Sequence, residues 1–184
     1  AESKYSLDVA IIKNISESAS SKELLDALSL YEGELLPGFY DEWVVLEREH
    51  LQAVFESKMA RLLSLLQAEG RWLDVLKWGE RWISFGQKPE PAYRALMSAH
   101  AAKGDMSKVA ATYERCMKSL RELSMEVSDQ TRELYGNLKS GKEIPKTKSV
   151  IAKVPERVTV SNIPVPLTSF VGRYKELKEI ARLL

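Results

Sequence analysis

Cysteine, histidine and long apolar runs are scarce in this sequence, and each scarcity removes a class of function. One cysteine, Cys116, in 184 residues rules out an internal disulfide framework. The two histidines, His50 and His100, are too far apart in sequence to complete a four-ligand zinc site of ordinary spacing with it. That usage suits a reducing, cytoplasmic setting. No stretch approaches the roughly twenty apolar residues that span a bilayer, and the polar start AESKYSLD has no signal-peptide core, so no membrane partner is expected. A surplus of charge is missing too. Lys and Arg number 27 against 26 Asp and Glu, a net charge of +1 that gives no global field toward nucleic acid. Strand-like alternation is nearly absent between residues 21 and 140.

What remains is a chain that is 45% hydrophobic and 29% charged, the balance of a globular protein with a real core. Its apolar residues recur at helical spacing. A first helix opens at Ser20, with Glu23 completing a capping box and Leu24, Leu25, Leu28 and Tyr31 forming the buried stripe; Gly33 ends it. The connection GELLPGFYD is a turn at Pro37-Gly38, and Asp41 is placed to cap a long helix from Glu42 to about Glu69 that Gly70 stops. Further helices are read over 73–84, through Tyr93, Leu96, Met97 and His100 as far as Gly104, over 106–123, and over 129–138 behind Ser128. Residues 142–165 then carry three prolines and five Lys or Arg against two Glu, with no helical stripe, and read as a linker. A new amphipathic segment begins near Arg173.

A shift of 34 residues superimposes Leu62 on Leu96, Ser64 on Ser98, Ala68 on Ala102, Gly70 on Gly104 and Val75 on Val109. That period, with Gly between paired helices, is the spacing of tetratricopeptide units, in which one hairpin cannot bury its apolar face alone. The expected fold is therefore all-α, a tetratricopeptide-like right-handed stack of about three helical hairpins with an extended C-terminal tail.

Candidate chemistry is thin. GNLKSGKE at 136–143 follows the phosphate-loop pattern G-x-x-x-x-G-K, but Glu143 replaces the required hydroxyl. The segment also follows a helix where a phosphate loop follows a strand. Gly141 reads instead as a helix C-cap, with Lys139 and Lys142 near the exposed carbonyls. Glu32 and Glu34, Asp41 and Glu42, and Glu47 and Glu49 are spaced as caps and solvated faces, and no pair converges as a catalytic dyad would. Cys116 lies on an apolar stripe with Tyr113, Met117 and Leu120, which predicts a packed thiol. No metal or catalytic residue is assigned and no enzyme activity is expected of this fragment. Trp72, Trp78 and Trp82, with Trp43 and Phe85, concentrate large rings that should mostly line the core. The six-residue step from Trp72 to Trp78 turns about 240°, so at least one ring is expected at the surface, and Trp72, Trp78 and Trp82 are the interaction candidates. The scattered positive charges of 142–165 lack aromatic platforms and read as a solvated tether, so no direct nucleic-acid binding is expected.

YEGELLPGFYDEWV at 31–44, followed by Glu47, Arg48 and Leu51, resembles the opening signature of the bacterial transcriptional activator domain, the tetratricopeptide-like domain of antibiotic-regulatory-protein-type activators. AEGRW at 68–72, PEPAYRALM at 89–97 and the helix with Tyr113 and Cys116 extend the likeness over about 5–140. The signature residues carried over are Leu36, Pro37, Gly38, Trp43 and Arg48. Packed as a fixed corner, Leu35, Leu36 and Phe39 would bury the turn and Trp43 would pin the long helix. YSLDVAII at 5–12 resembles the strand that leaves a preceding winged-helix DNA-binding domain. PLTSFVGRYKEL at 166–177 resembles the opening of a STAND-type (NB-ARC-like) ATPase domain, in which Val171, Gly172 and Arg173 would contact the nucleotide of an intact protein.

The resemblance implies four parts: 1–13 connecting from a DNA-binding domain, 14–141 the activator domain, 142–165 a linker and 166–184 the start of a nucleotide-binding domain. It implies a cytoplasmic protein-interaction module of a bacterial transcription regulator. Its partners would be its own ATPase domain, a second subunit or the transcription machinery. It implies ATP as the cofactor of an intact parent, and no cofactor is expected for this fragment. The alternative is a tetratricopeptide scaffold of a signalling ATPase outside transcription.

Overall fold

In a computed structural model the described residues, 8–86 and 88–141, form seven helices and no strand. They are α1 (Asp8–Asn14), α2 (Ser21–Ser29), α3 (Glu42–Ala68), α4 (Trp72–Ser84), α5 (Glu90–Ala102), α6 (Met106–Arg121) and α7 (Asp129–Lys139). The fold is the expected all-α, tetratricopeptide-like stack. Each of α3 to α6 packs on the next, α2 closes against α3, and α7 lies against both α5 and α6.

Local chemistry starts and stops these elements. The Ser20 hydroxyl accepts from the Glu23 N–H at 3.3 Å, and the Glu23 carboxylate accepts from the Ser20 N–H at 2.8 Å, so α2 opens on the capping box read from sequence. α3 and α5 end alike. The Gly70 N–H donates to Gln67 O and the Arg71 N–H to Leu66 O; 34 residues on, the Gly104 N–H donates to Ala101 O and the Asp105 N–H to His100 O. Both glycines hold positive φ, 69° and 75°, which closes the same αL turn twice. The repeat seen in the letters is thus a repeat of backbone geometry.

α5 is the centre. Ala92, Tyr93 and every residue from Ala95 to Ala99 are buried, because α4 and α6 flank it and α3 and α7 also reach it. Gly79 of α4 meets it most closely: a Cβ there would sit 2.9 Å from Leu96 Cδ2. Towards α2, Tyr31 stacks on Phe55 with centroids 4.0 Å apart, and Phe85 meets both rings edge-on at 5.2 and 5.5 Å. Arg81 lies over Trp78 and Phe85 and donates to Tyr31 O at 2.9 Å, tying the end of α4 to the exit of α2.

α1 corrects the strand expected at 5–12. From Asp8 onward the chain is helical, and the three-residue step from Val9 to Ile12 puts both on one face, with Ile12 only 2% exposed in the core. Alternation would have put them on opposite faces. Lys13 pairs with Glu47 of α3, and just beyond α1 the buried Lys58 ammonium donates to Ile15 O and pairs with Glu17. Residues 1–7, the linker 142–165, and Val171, Gly172 and Arg173 lie outside the described residues.

Candidate functional site

The signature corner, residues 31–48, is built by one arginine. Leu36, Pro37, Gly38 and Phe39 form a β-turn in which the Phe39 N–H donates to Leu36 O at 3.2 Å, and Gly38 holds the positive φ of 88° that such a turn needs after proline. Leu36 has φ of 48°, a left-handed conformation that a leucine holds only when its surroundings impose it. Arg48 imposes it from the first turns of α3. Its Nε donates to Leu35 O at 2.6 Å, a second nitrogen donates to Leu36 O, and a third lies 2.9 Å from the Glu34 carboxylate. The fork shape of guanidinium makes this possible, and lysine could not reproduce it.

The corner does not bury its own side chains, contrary to the packing expected of it. Leu36 is 40% exposed, Phe39 56%, Tyr40 82% and Trp43 61%. Val45 and Leu46 are exposed as well, while Leu35 alone of the loop leucines packs on the core. The reason is the phase of α3. Its core face runs through Val44, Leu51 and Phe55, so Trp43, Val45 and Leu46 stand roughly 100° or more from it and point outward. Arg48 fixes the loop through carbonyls, leaving Leu36 and Phe39 free to face water. Asp41 occupies the N-cap of α3 without a side-chain cap bond. Glu32, Asp41, Glu42 and Glu49 are exposed and have no ion-pair partner among the described residues.

The three tryptophans named as contacts lie elsewhere. Trp78 and Trp82, four residues apart on α4, are both buried, and Trp72 is half-buried against the same core. The tryptophan at the surface is Trp43. Cys116 is buried on α6, and loss of solvent, with Glu90 nearby, pushes its thiol up to about 11, far from a reactive thiolate. No group of His, Cys, Asp and Glu among the described residues is placed to hold a metal, and no helix among them is long and apolar enough to cross a membrane. The first half of GNLKSGKE is the last turn of α7, and Gly141 follows it with φ of 66°. That is helix end, not phosphate loop.

One polar cluster escaped the sequence reading. Glu90, at the start of α5, accepts from the Ser128 N–H at 3.1 Å and from the Ser128 and Thr131 hydroxyls at 2.7 and 2.6 Å. Arg94 donates to Thr131 Oγ1 at 3.0 Å. Burial works against the Glu90 charge, but the bonds from Thr131 and Ser128 prevail and hold its carboxyl below the usual range. Ser128 occupies the N-cap of α7 as expected, yet its hydroxyl serves Glu90 and makes no cap bond of its own. A carboxylate 38 residues away satisfies that helix start, which no local motif announces.

With this geometry in hand, comparison with known proteins adds one finding. The model of the bacterial transcriptional activator domain matches residues 13–139, from the end of α1 to the last residue of α7. No curated protein and no solved structure matches the chain.

Proposed function

Because the chain belongs to the bacterial transcriptional activator domain family, we propose that residues 14–141 are the regulatory, protein-interaction module of a multidomain bacterial transcription regulator. The module associates with neighbouring domains, a second subunit or the transcription machinery, and performs no catalysis itself. The observation that carries this reading is the family match through α2–α7. Stacked hairpins support it physically, since each exposes a face that only a neighbour can cover.

In the same proposal residues 1–13 connect from a DNA-binding domain, and residues 142–165 tether the module to an ATPase domain beginning at 166–184. Val171, Gly172 and Arg173 would contact ATP in the intact protein. That part rests on the sequence resemblance alone. The module binds no nucleic acid directly and works in the cytoplasm.

The test is a promoter-reporter assay with the full-length regulator, comparing the intact protein with one lacking residues 14–141 and one in which an unrelated helical repeat replaces them. Loss of regulation in both, with DNA binding retained, is the expected result. Normal regulation by the replaced version would defeat the proposal. Titration of this chain with fluorescent ATP should give no saturable binding at micromolar concentration.

A further inference from the structure

The corner between α2 and α3 combines three properties rarely found together. It is apolar and exposed: Leu36, Phe39, Tyr40, Trp43 and Leu46 all stand out of the core within one short stretch, an apolar ledge, with Trp43 and Leu46 one helical turn apart on the same side of α3. It is held, because the Arg48 fork fixes the Leu35 and Leu36 carbonyls and keeps a leucine left-handed. It is acidic, because residues 32–49 contain six carboxylates, and with Glu34 paired to Arg48 and Glu47 to Lys13, four of them, Glu32, Asp41, Glu42 and Glu49, have no ion-pair partner among the described residues.

A hollow of about 170 Å3 adjoins the ledge. Ile12 of α1, Leu35 and Leu51 line its apolar part, and Glu32 and Glu34 line its polar part. Glu34 already pairs with Arg48, so Glu32, which has no ion-pair partner among the described residues, supplies the second carboxylate. A long side chain with an aliphatic stem and a cationic head matches both halves of such a hollow.

We infer that this ledge docks a protein partner whose contact face is apolar and edged with Arg or Lys, one of which enters the hollow beside Glu32. The inference deepens the proposed interaction role and rests on it. Charge complementarity selects the partner: nucleic acid is repelled by the carboxylates, and a second copy would bring the same carboxylates face to face. Trp43 is the anchor expected at the centre, since large rings in the middle of an interface dominate its affinity.

The experiment uses the full chain, 15N-labelled, and two synthetic helical peptides with identical leucine faces, one edged with arginine and one with glutamate. The arginine-edged peptide should bind, shifting the Trp43 indole signal and the amides of residues 32–36, while the glutamate-edged peptide should not. Trp43→Ala, at an exposed position that leaves the core intact, should weaken binding roughly thirty-fold. Glu32→Lys with Glu49→Lys should reverse the preference between the peptides. Equal binding of both peptides, shifts confined to other surfaces, or unchanged affinity after Trp43→Ala would each overturn the inference. So would self-association that depends on Trp43. If the reporter assay upholds the module but its partner binds Trp43→Ala normally, the ledge fails and the module stands; failure of the module appears in the reporter assay alone.

Discussion

Two helical glycines make a controlled pair. Gly136 sits in α7 with open space where a Cβ would go, whereas at Gly79 a Cβ would stand 2.9 Å from Leu96 Cδ2 and 3.0 Å from its Cγ. Alanine at either position gains helix propensity of about 0.5 to 1 kcal/mol, chiefly by restricting the unfolded chain. Gly136→Ala should keep all of it and raise the melting temperature by roughly 2 to 4 °C. At Gly79 the methyl must displace the fully buried Leu96, and overpacking of that kind costs about 1 to 3 kcal/mol. The clash therefore outweighs the propensity, and Gly79→Ala should be neutral to destabilising by about 2 kcal/mol. Urea unfolding followed by circular dichroism reads both variants, with unchanged slopes confirming that the unfolded state is comparable. In a Leu96→Ala background the added methyl enters vacated space, so Gly79→Ala should become stabilising. If Gly79→Ala stabilises the wild type as much as Gly136→Ala does, the close α4–α5 contact is refuted.

Glu90→Gln should destabilise the protein by about 1.5 to 3 kcal/mol at neutral pH, the range for hydrogen bonds to a charged group. Because folding lowers the Glu90 pKa from its ordinary 4.5, its contribution is complete above that value and lost as pH falls through the folded pKa. The wild type and Glu90→Gln should therefore converge in acid, and a constant gap down to the acid transition would contradict the assignment. Arg48→Met should cost about 1 kcal/mol by unpairing the half-buried Leu35 carbonyl and releasing that of Leu36, and it should speed hydrogen exchange at residues 35–39. Unchanged exchange there would show that the loop is not held by Arg48. A thiol reagent should modify Cys116 no faster than the protein opens; fast labelling of the native state would disprove its burial.

The helices were legible because their signals are local. Ser20 with Glu23, the unbroken run from Glu42 to Ala68, and the paired glycines 70 and 104 each carry their instruction within a few residues. α1 was missed because seven residues offer too few turns for a period, and VAII suits a strand as well as a helix. The corner was misread for a different reason. LLPGFYDEW is apolar enough to look like core; only the phase of α3 turns Trp43 outward, and only the Arg48 hold on the loop carbonyls leaves Phe39 exposed. Conversely Trp78 and Trp82 sit four residues apart on one stripe, a step that the sequence displays directly. The Glu90 cluster joins positions 38 residues apart through the stacking of α7 on α5, so no window of sequence contains it.

α3 has 27 residues, about 40 Å of helix, and contains neither glycine nor proline. Its final turns, from Leu62 onward, carry the 34-residue repeat, while its first turns carry the exposed Trp43 and Leu46. A rod of this kind transmits tilt without absorbing it, because an unbroken hydrogen-bonded helix has no joint at which to fold. A load applied at Trp43 would reach the Gly70 corner as a change of angle. The next element, α4, meets α5 closely at Gly79. An unbroken α3 and a close α4–α5 contact at Gly79 would thus make the hairpins respond to a tilt at Trp43 as a single piece.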